Sequence, residues 1–194
     1  HMLSREESFE LRLMKHMGYD VTTLGNHEFD LMPQGLARII ETAYQHEEIP
    51  SIVFSNVSFS KESEKDDTLE YVFERRIVKP YTVLEKDGVK IGFFGLMGKQ
   101  AAEVSPFASP VRFSDPIDSA KTIVKELREK EKADLVICLS HSGINLKEPE
   151  NSEDGILAKE VDGIDIIISG HTHTKVYSVI TVNNTIILQA WAYG

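Results

Sequence analysis

Residues 21–30 have the sequence VTTLGNHEFD, in which a short apolar run passes directly into polar side chains that can bind metals. The same design occurs twice more, in LVICLSHSG at residues 135–143 and in IDIIISGHTHT at residues 164–174. Each segment delivers histidine just past its last apolar residue. Ligands of α/β folds bind beyond the carboxyl ends of the strands. The pattern therefore predicts a metal centre at the carboxyl edge of a sheet, and it suggests metal-assisted phosphoester hydrolysis.

The composition is that of one globular α/β domain. The chain has 194 residues, of which 41% are hydrophobic and 27% charged. No apolar run approaches the roughly 18 residues that a membrane helix needs, so we expect no transmembrane segment. The formal net charge of −10 argues against a partner such as a nucleic-acid duplex. An anionic substrate would need local positive charge, which bound metal ions could supply.

The termini and the single cysteine add little to the functional interpretation. Cys138 lies inside an apolar run and is expected to be a small buried hydrophobe. His1-Met2 is typical of a cloning scar, so residues 1–2 are excluded from the fold. No signal peptide is visible, but vector-derived first residues would mean that the native N-terminus is not included. No internal repeat or domain boundary is apparent.

Hydrophobic periodicity predicts alternating helices and strands. Helices are expected at 5–17, at 33–46, from Asp115-Pro116 onward and near 153–160. Strands are expected at 21–24, 52–54, 135–139 and 164–168. Hairpins are expected at 83–96 around Asp87-Gly88 and at 176–188 around Asn183-Asn184. Residues 61–68 and 97–116 are expected to be loops. The alternation predicts an α/β fold with covered sheet faces and antiparallel hairpins at an edge or on a second sheet.

The donor types in the three polar clusters favour a particular group of metals. Neutral imidazole, carboxylate and amide oxygen suit Zn, Mn, Fe or similar divalent ions. Two such ions held about 3.5–4 Å apart can clamp a phosphoryl group and activate water between them.

GNHEFD, SHSG and GHTHT, in this order and spacing, resemble the motifs of the calcineurin-like metallophosphoesterases. The similarity is greatest to the 5′-nucleotidase branch, including its 2′,3′-cyclic nucleotide phosphodiesterase members. MGYDVTTL at residues 17–24 and QAWAYG at residues 189–194 also resemble that branch. The resemblance implies an α/β metallophosphoesterase-like sandwich of mixed β-sheets flanked by helices. It also implies a substrate that is a small phosphoester or a nucleotide.

The resemblance implies metal ligands at positions that match the family motifs. Asn26 would bind the second metal through its amide oxygen, and His141 and His171 would complete the protein ligands of that site. His173 would belong to the first metal site.

The same resemblance implies a catalytic pair. His27 would stabilise the phosphoryl charge of the transition state or assist the leaving group. Asp30 would hold the imidazole of His27 in position and raise its basicity. Glu28 and Phe29, which lie between them, are expected to be structural. The residues that bind the rest of the substrate are not identified by this comparison.

Two family motifs are missing. The chain contains neither Asp-x-His nor the Gly-Asp whose aspartate bridges the two metals, and both lie upstream of GNHE in the family. We therefore expect residues 3–194 to be a partial catalytic domain that lacks its first strand–helix–strand portion and its C-terminal substrate-recognition domain. The full-length parent would hold two divalent ions. This chain would hold at most one, weakly, and would be weakly active or inactive. An uncovered sheet edge would favour a homodimer.

Two alternatives are open. The chain could be a degenerate, non-catalytic family member that acts as a binding module, or it could carry one structural metal with closed four-coordinate ligation. The genomic sequence immediately upstream separates truncation from the binding-module alternative, because an in-frame Asp-x-His followed by Gly-Asp would establish truncation. Family resemblance suggests a periplasmic or cell-surface location. Substrate and metal identity stay open.

Overall fold

The computed structural model describes residues 9–46 and 49–192. The predicted cloning scar at residues 1–2, the predicted beginning of the first helix at residue 5, and Tyr193-Gly194 lie outside these ranges. Within them, no helix is long and apolar enough to cross a membrane.

The described residues form six α-helices. They are α1 (Phe9–His16), α2 (Met32–His46), α3 (Asp67–Glu74), α4 (Lys99–Glu103), α5 (Pro116–Lys125) and α6 (Glu153–Glu160). Short 3₁₀ turns lie at Asn26–Leu31, Pro106–Ala108 and Pro149–Asn151, and a π-helical turn at Glu126–Lys130 follows α5. Asp115 caps α5, since its carboxylate accepts the backbone N–H groups of Ile117 at 2.9 Å and Asp118 at 3.2 Å.

Eleven strands complete the described fold. They are β1 (Val21–Thr23), β2 (Ser51–Val53), β3 (Val57–Ser58), β4 (Val78–Lys79), β5 (Tyr81–Lys86), β6 (Val89–Met97), β7 (Arg112–Phe113), β8 (Leu135–His141), β9 (Ile166–Ser169), β10 (Ile180–Val182) and β11 (Thr185–Leu188).

The strands form one small parallel sheet, one large mixed sheet and one two-stranded ribbon. The small sheet has the order β1-β2-β4, and the ribbon pairs β3 with β7. The large sheet has the order β10-β11-β9-β8-β6-β5, in which the four central strands are parallel and the two outer strands are antiparallel. Both predicted hairpins are present, at β5–β6 and at β10–β11. The predicted α/β fold of mixed sheets flanked by helices is confirmed.

Two predicted loops contain regular elements. Helix α3 begins at Asp67, inside the predicted loop 61–68, because its buried Leu69 and Val72 pack against the core. The predicted connection 97–116 contains α4 and β7, which are five and two residues long. Elements this short have too few residues for a periodic pattern, so tertiary contacts decide them.

The buried side chains form two hydrophobic clusters. One includes Phe29, Ile40 and Phe54 and lies between the small sheet and its helices. The other includes Val136 and Cys138 and lies beside the large sheet, under α5 and α6. Cys138 is fully buried as predicted, and burial raises the pKa of its thiol.

The two sheets meet at Gly95 of β6. The N–H of Ser55, just past β2, donates to the carbonyl of Gly95 at 2.8 Å. A Cβ at residue 95 would lie 2.2 Å from the Val53 carbonyl oxygen, so the approach of the sheets requires glycine there. This contact aligns the carboxyl ends of β1, β6 and β8 on one side of the molecule.

Candidate metal centre

Three loops at the carboxyl ends of the strands bring Asn26, His141 and His171 together. The 3₁₀ turn after β1 carries Asn26, β8 ends at His141, and the loop after β9 carries His171. Oδ1 of Asn26 lies 2.8 Å from Nε2 of His141. The rings of His141 and His171 have centroids 5.1 Å apart. Because β8 and β9 are parallel, with Ser140 opposite Ser169, their next residues emerge at the same edge.

Two glycines enclose the imidazole of His141. A Cβ at Gly25 would lie 2.6 Å from its Cε1, and a Cβ at Gly170 would lie 3.2 Å from its Nδ1. The first distance is shorter than a carbon contact allows, so Gly25 is required for this ring position. Its place immediately before Asn26 explains the Gly-Asn-His order physically.

His27 and Asp30 contact one another on the outer side of the 3₁₀ turn. Nδ1 of His27 lies 3.0 Å from Oδ2 of Asp30, and the side chains are 47% and 52% exposed. Phe29 is buried and packs edge-on against Phe113, with centroids 5.4 Å apart. The carboxylate of Glu28 accepts the N–H of Gly25 at 2.5 Å. These two contacts hold the turn, while the His27–Asp30 pair remains accessible to a ligand.

The GHTHT loop holds both of its histidines in left-handed backbone conformations. His171 has φ 75° and His173 has φ 51°. A left-handed conformation costs an L-residue about 1–2 kcal/mol. Contacts with the rest of the fold must therefore hold this loop in place.

Burial favours the neutral form of His141 and His171. Together with the neighbouring His171, His27 and His173, it lowers the pKa of His141 to about 4. Burial also lowers the pKa of His171, although Glu153 acts in the opposite direction. Neutral imidazole is the form that binds metals, so no proton has to leave His141 at neutral pH before it can act as a ligand.

Asp154 at the start of α6 supports the loop that carries His141. Its fully buried carboxylate accepts the Ser140 hydroxyl at 2.5 Å and the N–H of Gly143 at 3.2 Å, on either side of His141. Burial raises its pKa to about 6. Sequence reasoning did not single out Asp154. An aspartate in the first turn of a helix is normally a dipole partner, and nothing local marks this one as buried.

The donor types at this edge are those that bind divalent transition metals. Two largely neutral imidazoles and an amide oxygen converge, and these suit Zn, Mn or Fe rather than Ca. No group of three or more His, Cys, Asp or Glu side chains within 9–46 and 49–192 could hold a metal ion. The converging side chains of Asn26, His141 and His171 bring no negative charge to this position.

The chain belongs to the calcineurin-like phosphoesterase family. The family model, Calcineurin-like phosphoesterase, matches residues 4–175. The resemblance of the GNHEFD, SHSG and GHTHT motifs to this family is thereby confirmed.

Two relatives and one solved structure show which members of the family this chain is similar to. The chain is 37% identical to the trifunctional nucleotide phosphoesterase protein YfkN of Bacillus subtilis, covering 95% of this chain and 14% of that protein. It is 29% identical to a 5′-nucleotidase of Vibrio cholerae, covering 84% and 28%. It superposes on a 5′-nucleotidase precursor from Thermus thermophilus with a TM-score of 0.72 and 28% identity, covering 94% and 35%. The chain thus spans well under half the length of these relatives.

Proposed function

We propose that this chain is part of the catalytic domain of a longer enzyme that hydrolyses phosphoester bonds of nucleotides at a centre of two divalent metals. The contact between Asn26 and His141, with His171 beside it, carries the proposal. The closeness of an amide oxygen and two imidazoles supports a shared ion at this position. The family, and relatives named for nucleotide hydrolysis, support the reaction class and the substrate class.

Each residue of the centre has a defined task in this proposal. Asn26, His141 and His171 would hold one ion, and His173 would contribute to the other. Bound divalent ions supply positive charge for the phosphoryl oxygens and lower the pKa of attacking water. His27 is tied to Asp30 through Nδ1, so Nε2 is the nitrogen that would donate to a phosphoryl or leaving-group oxygen. Asp30 would hold that ring in position.

A groove beside β1 supports the view that the domain is partial. It has a volume of about 440 Å³ and lies between β1 and the face of the large sheet, lined by residues such as Thr23, Phe93, Leu139 and Ile168. His141 and Gly170 line it as well. Among the described strands, β1 pairs only with β2, so its other edge is open towards this groove.

An upstream segment of the same polypeptide is the occupant that we propose for the groove. A strand paired with the open edge of β1 would satisfy its backbone groups and cover Ile168, which is 46% exposed. Its carboxyl end would then lie beside His141. Aspartates of the Asp-x-His and Gly-Asp motifs at that position would supply the anionic charge that the present donors lack.

The first experiment measures metal content and turnover of this chain. We expect at most one weakly held Mn²⁺ or Zn²⁺ per chain, and little or no hydrolysis of bis(p-nitrophenyl) phosphate, AMP or 2′,3′-cyclic AMP. The longer polypeptide encoded by the in-frame upstream sequence should bind two ions and turn over at least one of these substrates. Two ions together with robust turnover in the short chain would contradict the proposal that it is incomplete.

The alternative is a binding module without chemistry, and the missing Asp-x-His and Gly-Asp motifs favour it. The upstream genomic sequence separates the two proposals. A start codon at Met2, with no preceding motif, would support the binding module.

Two further expectations concern assembly and location. The open edge of β1 could pair with a second copy of the chain, so we propose a homodimer, which sedimentation at increasing concentration would reveal. A clean monomer at high concentration would refute it. We also propose a periplasmic or cell-surface location for the parent enzyme, which fractionation of the source cells tests.

A further inference from the structure

Gln189, immediately after β11, lies beneath the GHTHT loop. Its side chain is 3% exposed. One orientation of the amide satisfies all of its polar neighbours. The amide nitrogen then donates to Oγ of Ser169 at 3.3 Å and to Oγ1 of Thr172 at 3.1 Å. The amide oxygen accepts the N–H groups of His173 at 3.2 Å and Thr174 at 3.1 Å.

The backbone of Gln189 holds the far end of the same loop. Its carbonyl accepts the N–H of Val176 at 3.2 Å, and the adjacent residues Lys175 and Ala190 form an antiparallel bridge. One residue therefore contacts the segment from Ser169 to Val176 at five points. Both predicted ligands of this segment, His171 and His173, lie within that span.

The same hydrogen-bond network reaches the loop that follows His141, another predicted ligand. Oγ1 of Thr172 accepts the N–H of Ile144 at 3.2 Å, and Oγ1 of Thr174 donates to the carbonyl of Ile144 at 2.8 Å. Ile144 lies three residues after His141. Gln189 thus holds the two threonines that join the two histidine-bearing loops.

The side chain of Gln189 pairs with backbone N–H groups of the GHTHT loop. The backbone N–H groups of His173 and Thr174 both donate to the Gln189 amide oxygen, beside residues 171 and 173 in left-handed conformations. Loss of that acceptor would remove both hydrogen bonds and so disfavour this conformation of the loop. Water or a different backbone path would replace the present geometry.

We propose that Gln189 is a positioning residue that holds the GHTHT loop in the one conformation that presents His171 and His173 to a metal. This positioning role rests on the proposed metal centre. It assigns no contact between Gln189 and the metal or the substrate. Groups that orient metal ligands typically change metal affinity 10–100-fold when they are removed.

Two variants and one control separate positioning from general stability. Gln189→Leu removes every side-chain hydrogen bond at similar volume. Gln189→Glu keeps two acceptor oxygens for the N–H groups and for the two hydroxyls. Thr185→Val is the control, because Thr185 is buried at the opposite end of β11 and its hydroxyl donates to the Ile164 carbonyl at 2.8 Å. Each variant is compared as the metal-free chain and in a titration with Mn²⁺ alone.

The first measurement is amide hydrogen exchange of residues 173 and 174 in the metal-free chain. We expect exchange at least about tenfold faster in Gln189→Leu, beyond its change in global stability, with protection retained in Gln189→Glu. Thr185→Val should lower global stability without this local change. Unchanged exchange in Gln189→Leu would overturn the proposal.

The Mn²⁺ titration is the second measurement. We expect the affinity for Mn²⁺ to fall about tenfold or more in Gln189→Leu and to be unchanged in Thr185→Val. Equal weakening in both variants would overturn the positioning role. If exchange changes as expected but the wild-type chain binds no Mn²⁺, the loop-holding role stands and the titration is repeated with the longer polypeptide. Absence of bound Mn²⁺ in that polypeptide would refute the proposed metal centre.

Discussion

Nε2 of His141 lies 2.8 Å from the amide oxygen of Asn26, although 115 positions separate the two residues in the chain. The contact joins the turn after β1 of the small sheet to the last residue of β8 in the large sheet. It is therefore both a tertiary contact between the two sheets and the centre of the predicted ligand set.

Asn26→Leu removes this oxygen at nearly constant side-chain size. We expect Mn²⁺ affinity to fall at least tenfold, because one of three converging donors is lost. We also expect the free energy of unfolding to fall by about 1–3 kcal/mol, because the partly buried His141 nitrogen loses its partner. Calorimetric titration and urea denaturation measure the two effects. Unchanged Mn²⁺ affinity would exclude Asn26 as a ligand.

Gly25→Ala tests the close approach to His141. The new methyl group would lie 2.6 Å from Cε1 of the imidazole, so the ring must move or the turn must open. We expect destabilisation of about 1–3 kcal/mol and loss of measurable Mn²⁺ binding. Gly88→Asn on the β5–β6 turn is the control, since nothing lies within 4 Å of a Cβ there and asparagine tolerates its positive φ. Equal changes in stability and Mn²⁺ binding in the two variants would show that the structure accommodates a methyl group at residue 25 without displacing His141.

Asp154→Asn tests the buried carboxylate through the pH dependence of stability. The folded-state pKa of Asp154 is about 6, above the ordinary value of 3.8, so the folded state keeps a proton that the unfolded state loses between these values. Asp154 therefore makes the wild-type chain less stable as pH rises from about 4 to 6, with no further change above that range.

The difference in unfolding free energy, wild type minus Asp154→Asn, should fall across this window by an amount on the order of 2–3 kcal/mol. Denaturant titrations at pH 4, 5, 6 and 7.5 measure it. Asp87→Asn on the exposed β5–β6 turn is the control, and its difference curve should be flat. A flat curve for Asp154→Asn would mean that the carboxylate ionises as it would in water.

His27→Gln and Asp30→Asn test the proposed catalytic pair in the proposed longer enzyme. Both side chains are about half exposed, so we expect stability changes within about 0.5 kcal/mol in the present chain. Loss of the acid–base group should lower kcat roughly 10²–10⁴-fold in His27→Gln, with a smaller loss in Asp30→Asn. Metal content should be unchanged. A variant that loses metal together with activity would identify His27 as a ligand instead.

Much of the architecture was predictable from local patterns. The apolar runs at 21–24, 135–139 and 164–168 specified strands that end beside polar residues, and Asp115-Pro116 specified the beginning of α5. Helix α4 and strand β7 were not predictable, because five and two residues carry no periodicity and pack only after the sheets have formed.

The candidate site was likewise predictable only in part. Asn26, His27, His141, His171 and His173 stand out in the sequence, because metal-binding side chains that follow buried strands are uncommon. Their mutual distances depend on strand order and register, which no local pattern encodes. Gln189 and Asp154 were missed as supporting residues, because a glutamine or an aspartate becomes structurally special only when tertiary packing buries it beside unpaired backbone groups.

The resemblance of the GNHEFD, SHSG and GHTHT motifs was thus sufficient to indicate the family and the residue types of the proposed centre. The folded arrangement alone decided that the imidazole of His141 is neutral, that Gly25 must lack a side chain, and that the edge of β1 opens onto a groove. The physical reason is that burial, close approach and unpaired edges are relations between segments distant in the chain, and they exist only after the two sheets have come together at Gly95.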